Sequence, residues 1–305
     1  METAKALSIN DIYTISAGIL MGTIARLVTI KVDFRQIPTY PSAYFNNIIF
    51  GVIASALGAI AIPALLAKDY TSITFLALAI TQFREFRTAE RDSLAELENT
   101  EYTKRGDAYI DGISKTYESR YYISLVTAVF TVLVIKLIYL PEIWVSIGFG
   151  IAAGFLVMFL CNKFTKGKSV DHICEIKAGN ISVQGSYLYV DGIFVTNYLG
   201  TALSRKMFTE EGLAIVLTPR DKKNGVTLEN FGQRQAILFE AASALGVKKY
   251  YFMNLDYPSG KMIIALVPIN HDPDRLIKAA RETPLLENSR KAKQIMKTNI
   301  GGTNV

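Results

Sequence analysis

Groups able to do covalent, acid-base or metal chemistry are sparse in this chain. Among 305 residues there are two His and two Cys. Cys161 ends an apolar run, so the one close pair is His172 and Cys174, whereas a zinc site takes about four ligands at defined spacings. No metal and no cofactor are expected, and two Cys without a framework fit a reducing compartment. There is no nucleophile elbow and no phosphate loop, and Gly148-Phe149-Gly150 lacks the strand that a dinucleotide fingerprint follows. One constellation has chemical content. Arg220, Asp221 and Arg234, with Asn230, stand near a helix start and could together hold an anion. The competing reading is a solvated loop beside an amphipathic helix. On these residues the chain reads as non-enzymatic.

The elements that would position such groups fall into two unlike halves. Mean hydropathy is +0.24, and the apolar residues crowd into the first 160 positions. Tyr121 to Leu140 carries one charge, Lys136, and as a helix covers about 30 Å, the thickness of a bilayer's hydrocarbon. Ile143 to Leu160 carries none and returns as the second arm of a hairpin. Ala43 to Ala67 and Ile12 to Ile30 are two more spans, the latter with Arg26 near its end, which reads as a cation snorkelling to the interface rather than a buried functional cation. Thr71 to Phe83 is apolar for about thirteen residues, short for a crossing, and is a fifth span, a re-entrant segment or the buried end of a helix running to about Glu98. The expected fold is therefore an α-helical transmembrane bundle of four to five spans followed by a cytoplasmic α+β domain.

Lys163, Lys166 and Lys168 follow the last span, and Arg26, Lys31 and Arg35 flank the first connection. Basic residues stay on the cytoplasmic side, so five spans with the N-terminus outside and the C-terminal domain cytoplasmic fit best. Residues 1–162 form the transmembrane domain, with a cytoplasmic helical segment at about 84–120. Residues 163–288 form the α+β domain, and 289–305 a flexible basic tail. Gly18 and Gly22, Ala54 and Gly58, and Gly150 and Gly154 are small residues four apart, the spacing that lets helices approach closely in lipid. This reads as packing within one bundle, against a homo-oligomer interface or the lining of a pore, the reading on which a channel would rest. No central Asp, Glu or His marks an ion pathway.

From residue 163 onward there are 20 Lys and Arg against 13 Asp and Glu, and before it 13 against 14. The net charge of +6 thus belongs to the second half, where attraction to anionic membrane lipid explains it without a nucleic-acid partner. Strands are expected at Asn180–Ser186, Tyr187–Thr196 and Leu213–Leu217, then a polar turn at Arg220–Gly225. A helix capped by Asn230 and stopped by Gly246 follows, then a hairpin around Tyr257-Pro258-Ser259-Gly260, and a last helix opened by Asp272 and Pro273. The expected packing is one sheet with helices on one face. Tyr-x-Asp-Gly-Ile occurs at Tyr109 and again at Tyr189, a coincidence in which the second copy reads as a turn or a bulge.

At Tyr109-Ile110-Asp111-Gly112-Ile113-Ser114 the chain resembles the YIEGIA family of bacterial membrane proteins, with Asp for Glu and Ser for Ala. The order of spans, motif, span hairpin and C-terminal domain carries the resemblance further, as does the phrase from Leu217 to Val247. It implies an origin in endospore-forming Firmicutes, a role in spore-envelope assembly and a small cytosolic companion protein, and it brings no catalytic residues. Tyr109, Ile110, Asp111, Gly112 and Ile113 become the interaction candidates. The expected function is a multi-pass, non-enzymatic membrane protein whose cytoplasmic domain binds a partner protein; the alternative is a channel or transporter component gated by that domain.

Overall fold

The computed structural model describes residues 8–30, 41–138, 141–165 and 167–289. The cations Lys31 and Arg35 and the basic tail from Arg290 lie outside them. The chain forms two compact units: one up to Asp92 together with the stretch from Ile113 to the end of the last long helix, the other Ser93–Gly112 together with the residues from Gly167.

The first unit is helical: α1 (Ile9–Ile30), α2 (Pro41–Leu66), α3 (Tyr70–Leu97), α4 (Asp107–Leu137) and α5 (Ile143–Thr165). Among the described residues four helices are long and apolar enough to cross a membrane, namely Ile9–Ile30, Tyr44–Leu66, Asp107–Leu137 and Ile143–Thr165. The segment at Thr71–Phe83 is no separate element. It is the apolar first half of the 28-residue helix α3, whose second half, from Arg84, is too charged to satisfy the same criterion. α3 nevertheless returns along α2: after a short turn at Leu66, its Ile80, Phe83 and Phe86 share one apolar cluster with Phe50, Ala54 and Leu57 of α2 and Tyr121 of α4, and the Phe86 ring lies 4.3 Å from that of Phe50. Arg87 pairs with Glu118 of α4 at 3.2 Å.

The small residues are spent inside this unit. A Cβ on Gly18 would stand 2.6 Å from Val132, one on Gly22 would meet Ser55 Oγ at 2.5 Å and the Ser124 carbonyl at 2.6 Å, and one on Gly154 would stand 2.5 Å from Thr131 Oγ1. Backbones therefore approach at van der Waals distance, the arrangement that holds helices together where lipid removes the hydrophobic drive. Ala54, Ala59, Ala128 and Val132 are fully buried around them.

Arg26 corrects the snorkelling expectation. It is 0% exposed. Its Nη2 donates to Asn47 Oδ1 at 2.8 Å, and the Tyr121 hydroxyl donates to the same oxygen at 3.0 Å. The guanidinium carbon lies 4.9 Å from the Tyr121 ring centroid, and Gly51 leaves room for its stem. The chain supplies an amide acceptor and an aromatic face in the interior, so the side chain does not travel to water. At the opposite end of the same helices Lys136 of α4 is ion-paired with Asp11 of α1, and Tyr13 packs on Trp144 at 5.6 Å.

The second unit is built on an antiparallel sheet. Its strands are β1 (Cys174–Ala178), β5 (Leu213–Pro219), β6 (Val247–Asp256) and β7 (Lys261–Pro268), in the order β1-β5-β7-β6. One face is covered by α7 (Lys222–Glu229), α8 (Phe231–Leu245) and α9 (Pro273–Glu282), through Leu228, Ile237, Leu245, Leu276 and Ala280 on Ile215, Leu217, Ile264 and Leu266. The expected one-sided packing is corrected on the other face. There α6 (Ala202–Glu211) and a three-stranded sheet β2-β3-β4 (Ile181–Gln184, Tyr187–Val190, Ile193–Thr196) bury Leu188, Val190, Val195 and Phe208 against Val216, Ile263 and Ala265.

Local signals explain most elements. Asn230 Oδ1 accepts the Gln233 N–H at 3.1 Å and Gly246 ends α8 at φ +67°; Asp272 Oδ1 accepts the Arg275 N–H at 3.0 Å to open α9. The expected single strand Tyr187–Thr196 is a hairpin, because Asp191 (φ +49°) and Gly192 (φ +77°) form a left-handed turn. The expected polar turn at Arg220–Gly225 runs instead into α7, a short helix that buries Leu228.

Candidate functional site

Tyr109, Ile110 and Gly112 of the motif stand in the first turns of α4 and belong to the α+β unit, while Ile113 is the first residue of the helical unit. Tyr109 is 2% exposed. Its hydroxyl donates to the Glu240 carboxylate of α8, and its ring meets Phe239 edge-on at 6.1 Å. Ile110 is buried, Asp111 and Gly112 are half-buried, and a Cβ on Gly112 would touch Leu286 at 3.4 Å. The close approach of α4 to α8 is made at Gly232, where a Cβ would stand 2.7 Å from that of Ala108.

The loop leading into the motif is locked from both sides. Glu98, closing α3, accepts the N–H groups of Arg105 (2.8 Å) and Gly106 (3.1 Å). Gly106 needs its φ of +84°, and any side chain there would run into Gln235. Arg105 lies over the Phe239 ring at 4.7 Å and pairs with Glu101 at 3.3 Å. Tyr102 donates to the Lys249 carbonyl of β6, and in return the Tyr251 hydroxyl donates to the Tyr102 carbonyl at 3.3 Å. Burial pushes the Tyr251 phenol above its usual range, which keeps it a donor.

Gln233 fixes the opposite wall. Fully buried, it donates to the Pro284 carbonyl at 3.1 Å and accepts the Leu286 N–H at 2.7 Å and the Ser289 hydroxyl at 3.3 Å. This holds Leu286 beside Gly112. The spacing of Asn230 and Gln233 is legible as a helix cap, but nothing local in the sequence points to Glu98, Tyr102, Arg105 or Glu240 as partners of the motif.

The anion constellation is not assembled by any hydrogen bond or ion pair among the described residues. Arg220 donates to the Asp171 carbonyl at 3.3 Å, Asp221 stands at the N-cap of α7, and Arg234 lies over Phe231 at 5.8 Å. His172 Nδ1 is 3.1 Å from Ser169 Oγ within one exposed turn. Cys174 is fully buried, and burial pushes its thiol up to about 12, which leaves it a packed apolar group. No group of three or more His, Cys, Asp or Glu able to hold a metal occurs among the described residues.

One surface stands out by composition. The outward side chains of β2-β3-β4 are Ser182, Gln184, Tyr187, Tyr189 and Phe194, with Ser182 opposite Tyr189 and Tyr189 opposite Phe194. Tyr187 is 47% and Phe194 44% exposed, and the Phe194 ring lies 6.0 Å from Tyr189 and 6.3 Å from Tyr187. None of the five is charged. Solvated sheet faces are ordinarily polar, whereas interface cores are rich in aromatics and poor in charge.

Comparison with known proteins agrees with the motif. A family model described as "YIEGIA protein" matches residues 14–296. The chain is 35% identical over 285 residues to a protein of Bacillus subtilis (strain 168) described as "Uncharacterized protein YphB", covering 91% of this chain and 93% of that one. No solved structure matches it.

Proposed function

The chain belongs to the YIEGIA family, and from that premise we propose that it is a multi-pass membrane protein without catalytic activity whose α+β domain lies in the cytoplasm and binds a partner protein. The observation that carries this reading is the charge-free aromatic face of Tyr187, Tyr189 and Phe194. It sits in a half-chain with 20 basic and 13 acidic residues yet presents none of them. The setting in spore-envelope assembly and the small companion protein come from the family resemblance alone.

Five crossings are part of the proposal. α3 runs back along α2 from Leu66 to Phe50, so a bilayer crossed by α2 is recrossed by α3. The charged stretch of α3 from Arg84 then emerges on the side of Arg26 and of Glu118 of α4, which pairs with Arg87. That side is the basic one and is taken as cytoplasmic, with the N-terminus outside. The channel alternative rested on small-residue helix faces. Those faces are occupied by close packing between helices of one chain, so no observation favours it.

Replacing Phe194 by a photo-reactive phenylalanine analogue in the full chain, expressed in sporulating cells, tests the partner. One discrete adduct from Phe194 that is lost on Tyr187→Lys, and absent when the analogue stands at Asp274 of α9, is expected. Equal adducts from both positions, or none from Phe194, overturn the reading.

A further inference from the structure

Hydroxyl groups inside the helical unit turn back onto their own helices. Thr14 donates to the Asn10 carbonyl at 2.8 Å, Thr29 to Ala25 at 3.1 Å, Ser55 to Gly51 at 2.7 Å and Thr131 to Thr127 at 2.8 Å. Thr127 itself departs from this pattern. It is 0% exposed, and its Oγ1 is buried with no hydrogen-bond partner among the described residues. The same face of α4 carries Ser124 three residues before it and Thr131 four residues after it. The Ser124 carbonyl lies against Gly22 of α1, and the Thr131 hydroxyl against Gly154 of α5, beside Met21 of α1. Thr127 therefore stands between these two contacts, on the side of α4 that α1 and α5 cover.

A buried hydroxyl left unpaired destabilises the fold, and Val offers nearly the same shape without that penalty. Internal water is what satisfies a buried polar atom that has no protein partner, where at least two polar atoms converge on it. We propose that the interior of the helical unit holds a bound water molecule that bridges the Thr127 and Thr131 hydroxyls. Residues one turn apart on a helix face have Cβ atoms about 5–6 Å apart, a gap that two O–H···O bonds of about 2.8 Å span. Thr131 gives its own proton to the Thr127 carbonyl, so towards the water it is an acceptor, while the Thr127 hydroxyl can donate or accept. The bridge completes the polar side of α4 without any charged group. It lies wholly within the helical unit and stands whether or not the α+β domain binds a protein.

Water-edited solid-state NMR of the full chain, 13C-labelled at threonine and reconstituted in lipid bilayers, tests it, with the Thr127 signal identified by its loss in Thr127→Ser. The control is Thr23, next to Gly22 at the level of Ser124, whose hydroxyl is satisfied by the Ile19 carbonyl at 2.7 Å. Magnetisation should pass from water to Thr127 faster than to Thr23, and that excess should be lost in Thr131→Val. Transfer no faster than to Thr23, or an excess that Thr131→Val leaves unchanged, overturns the inference. Thr127→Val should lower the melting temperature by about 2 °C, the shift of one lost hydrogen bond in a chain of this size; a rise would mean an unpaired hydroxyl and would overturn it too. If Thr127→Val does not fold, the transfer rates decide alone.

Discussion

Tyr109 and Glu240, 131 positions apart in the chain, are joined by a hydrogen bond from phenol to carboxylate, with the tyrosine ring buried edge-on against Phe239. The tyrosine of the family motif is thus buried inside the domain that carries it. Tyr109→Phe keeps the ring but leaves Glu240 without this hydrogen bond, for an expected cost of about 1–3 kcal/mol. Tyr109→Ala also leaves a cavity and costs about 3–5 kcal/mol. Thermal unfolding of the purified chain should rank wild type, Phe and Ala in that order, and Glu240→Gln, which retains an acceptor, should lie above Tyr109→Ala.

The glycines of the apolar unit divide by environment. Gly22→Ala puts a methyl group where Ser55 Oγ and the Ser124 carbonyl already stand, at 2.5 and 2.6 Å. Overpacking of this kind costs about 1–3 kcal/mol. Gly148→Ala, on α5, meets nothing within 4 Å and should be neutral. The yield of monodisperse protein after detergent extraction, with its melting temperature, distinguishes the two; equal behaviour would mean that α1 does not pack as described.

How far the sequence alone leads depends on the range of the interaction. Asn230 as a cap, Gly246 as a stop and Asp191-Gly192 as a turn are local events and are legible. The segment Arg220–Gly225 misleads because Lys-Lys-Asn-Gly favours a turn by composition, whereas burial of Leu228 against the sheet draws it into α7. β1 and α6 pass unread, one only five residues long, the other with little apolar periodicity of its own. Arg26 misleads for a physical reason: snorkelling is the default for a lone cation near a span end, and only the fold brings Asn47 and Tyr121 to it. The motif can be found from its hexapeptide, but its receptor in α8 is assembled by contacts that no spacing in the chain encodes.

Cys174 offers a pH-dependent test. Burial pushes its thiol up to about 12, so the native chain holds far less thiolate there near pH 8 than an unburied thiol would, and the thiolate is the reactive form. With Cys161→Ala in the background, maleimide should label the protein only after unfolding. The raised value means that the unfolded thiol gives up its proton first. The stability linked to this group is therefore intact below about pH 9 and lost between about pH 9 and 12. Rapid native labelling at pH 8 would show that the β1 side of the core is open.

The turn between α2 and α3 decides the membrane reading. Asp69 caps α3 by accepting the N–H groups of Thr71 and Ser72, each at 3.2 Å, so the chain reverses sharply there, and Ala67 beside it is exposed. In a chain lacking Cys161 and Cys174, Ala67→Cys should react with an impermeant maleimide on intact cells, while Thr100→Cys should react only after permeabilisation. Five crossings with the N-terminus outside require that pair of results. Reaction of neither before permeabilisation would put both turns on the cytoplasmic side and return α3 to an interfacial helix beside four spans. The opposite pattern would invert the whole orientation, against the basic residues at Lys163 and Lys168 that follow α5.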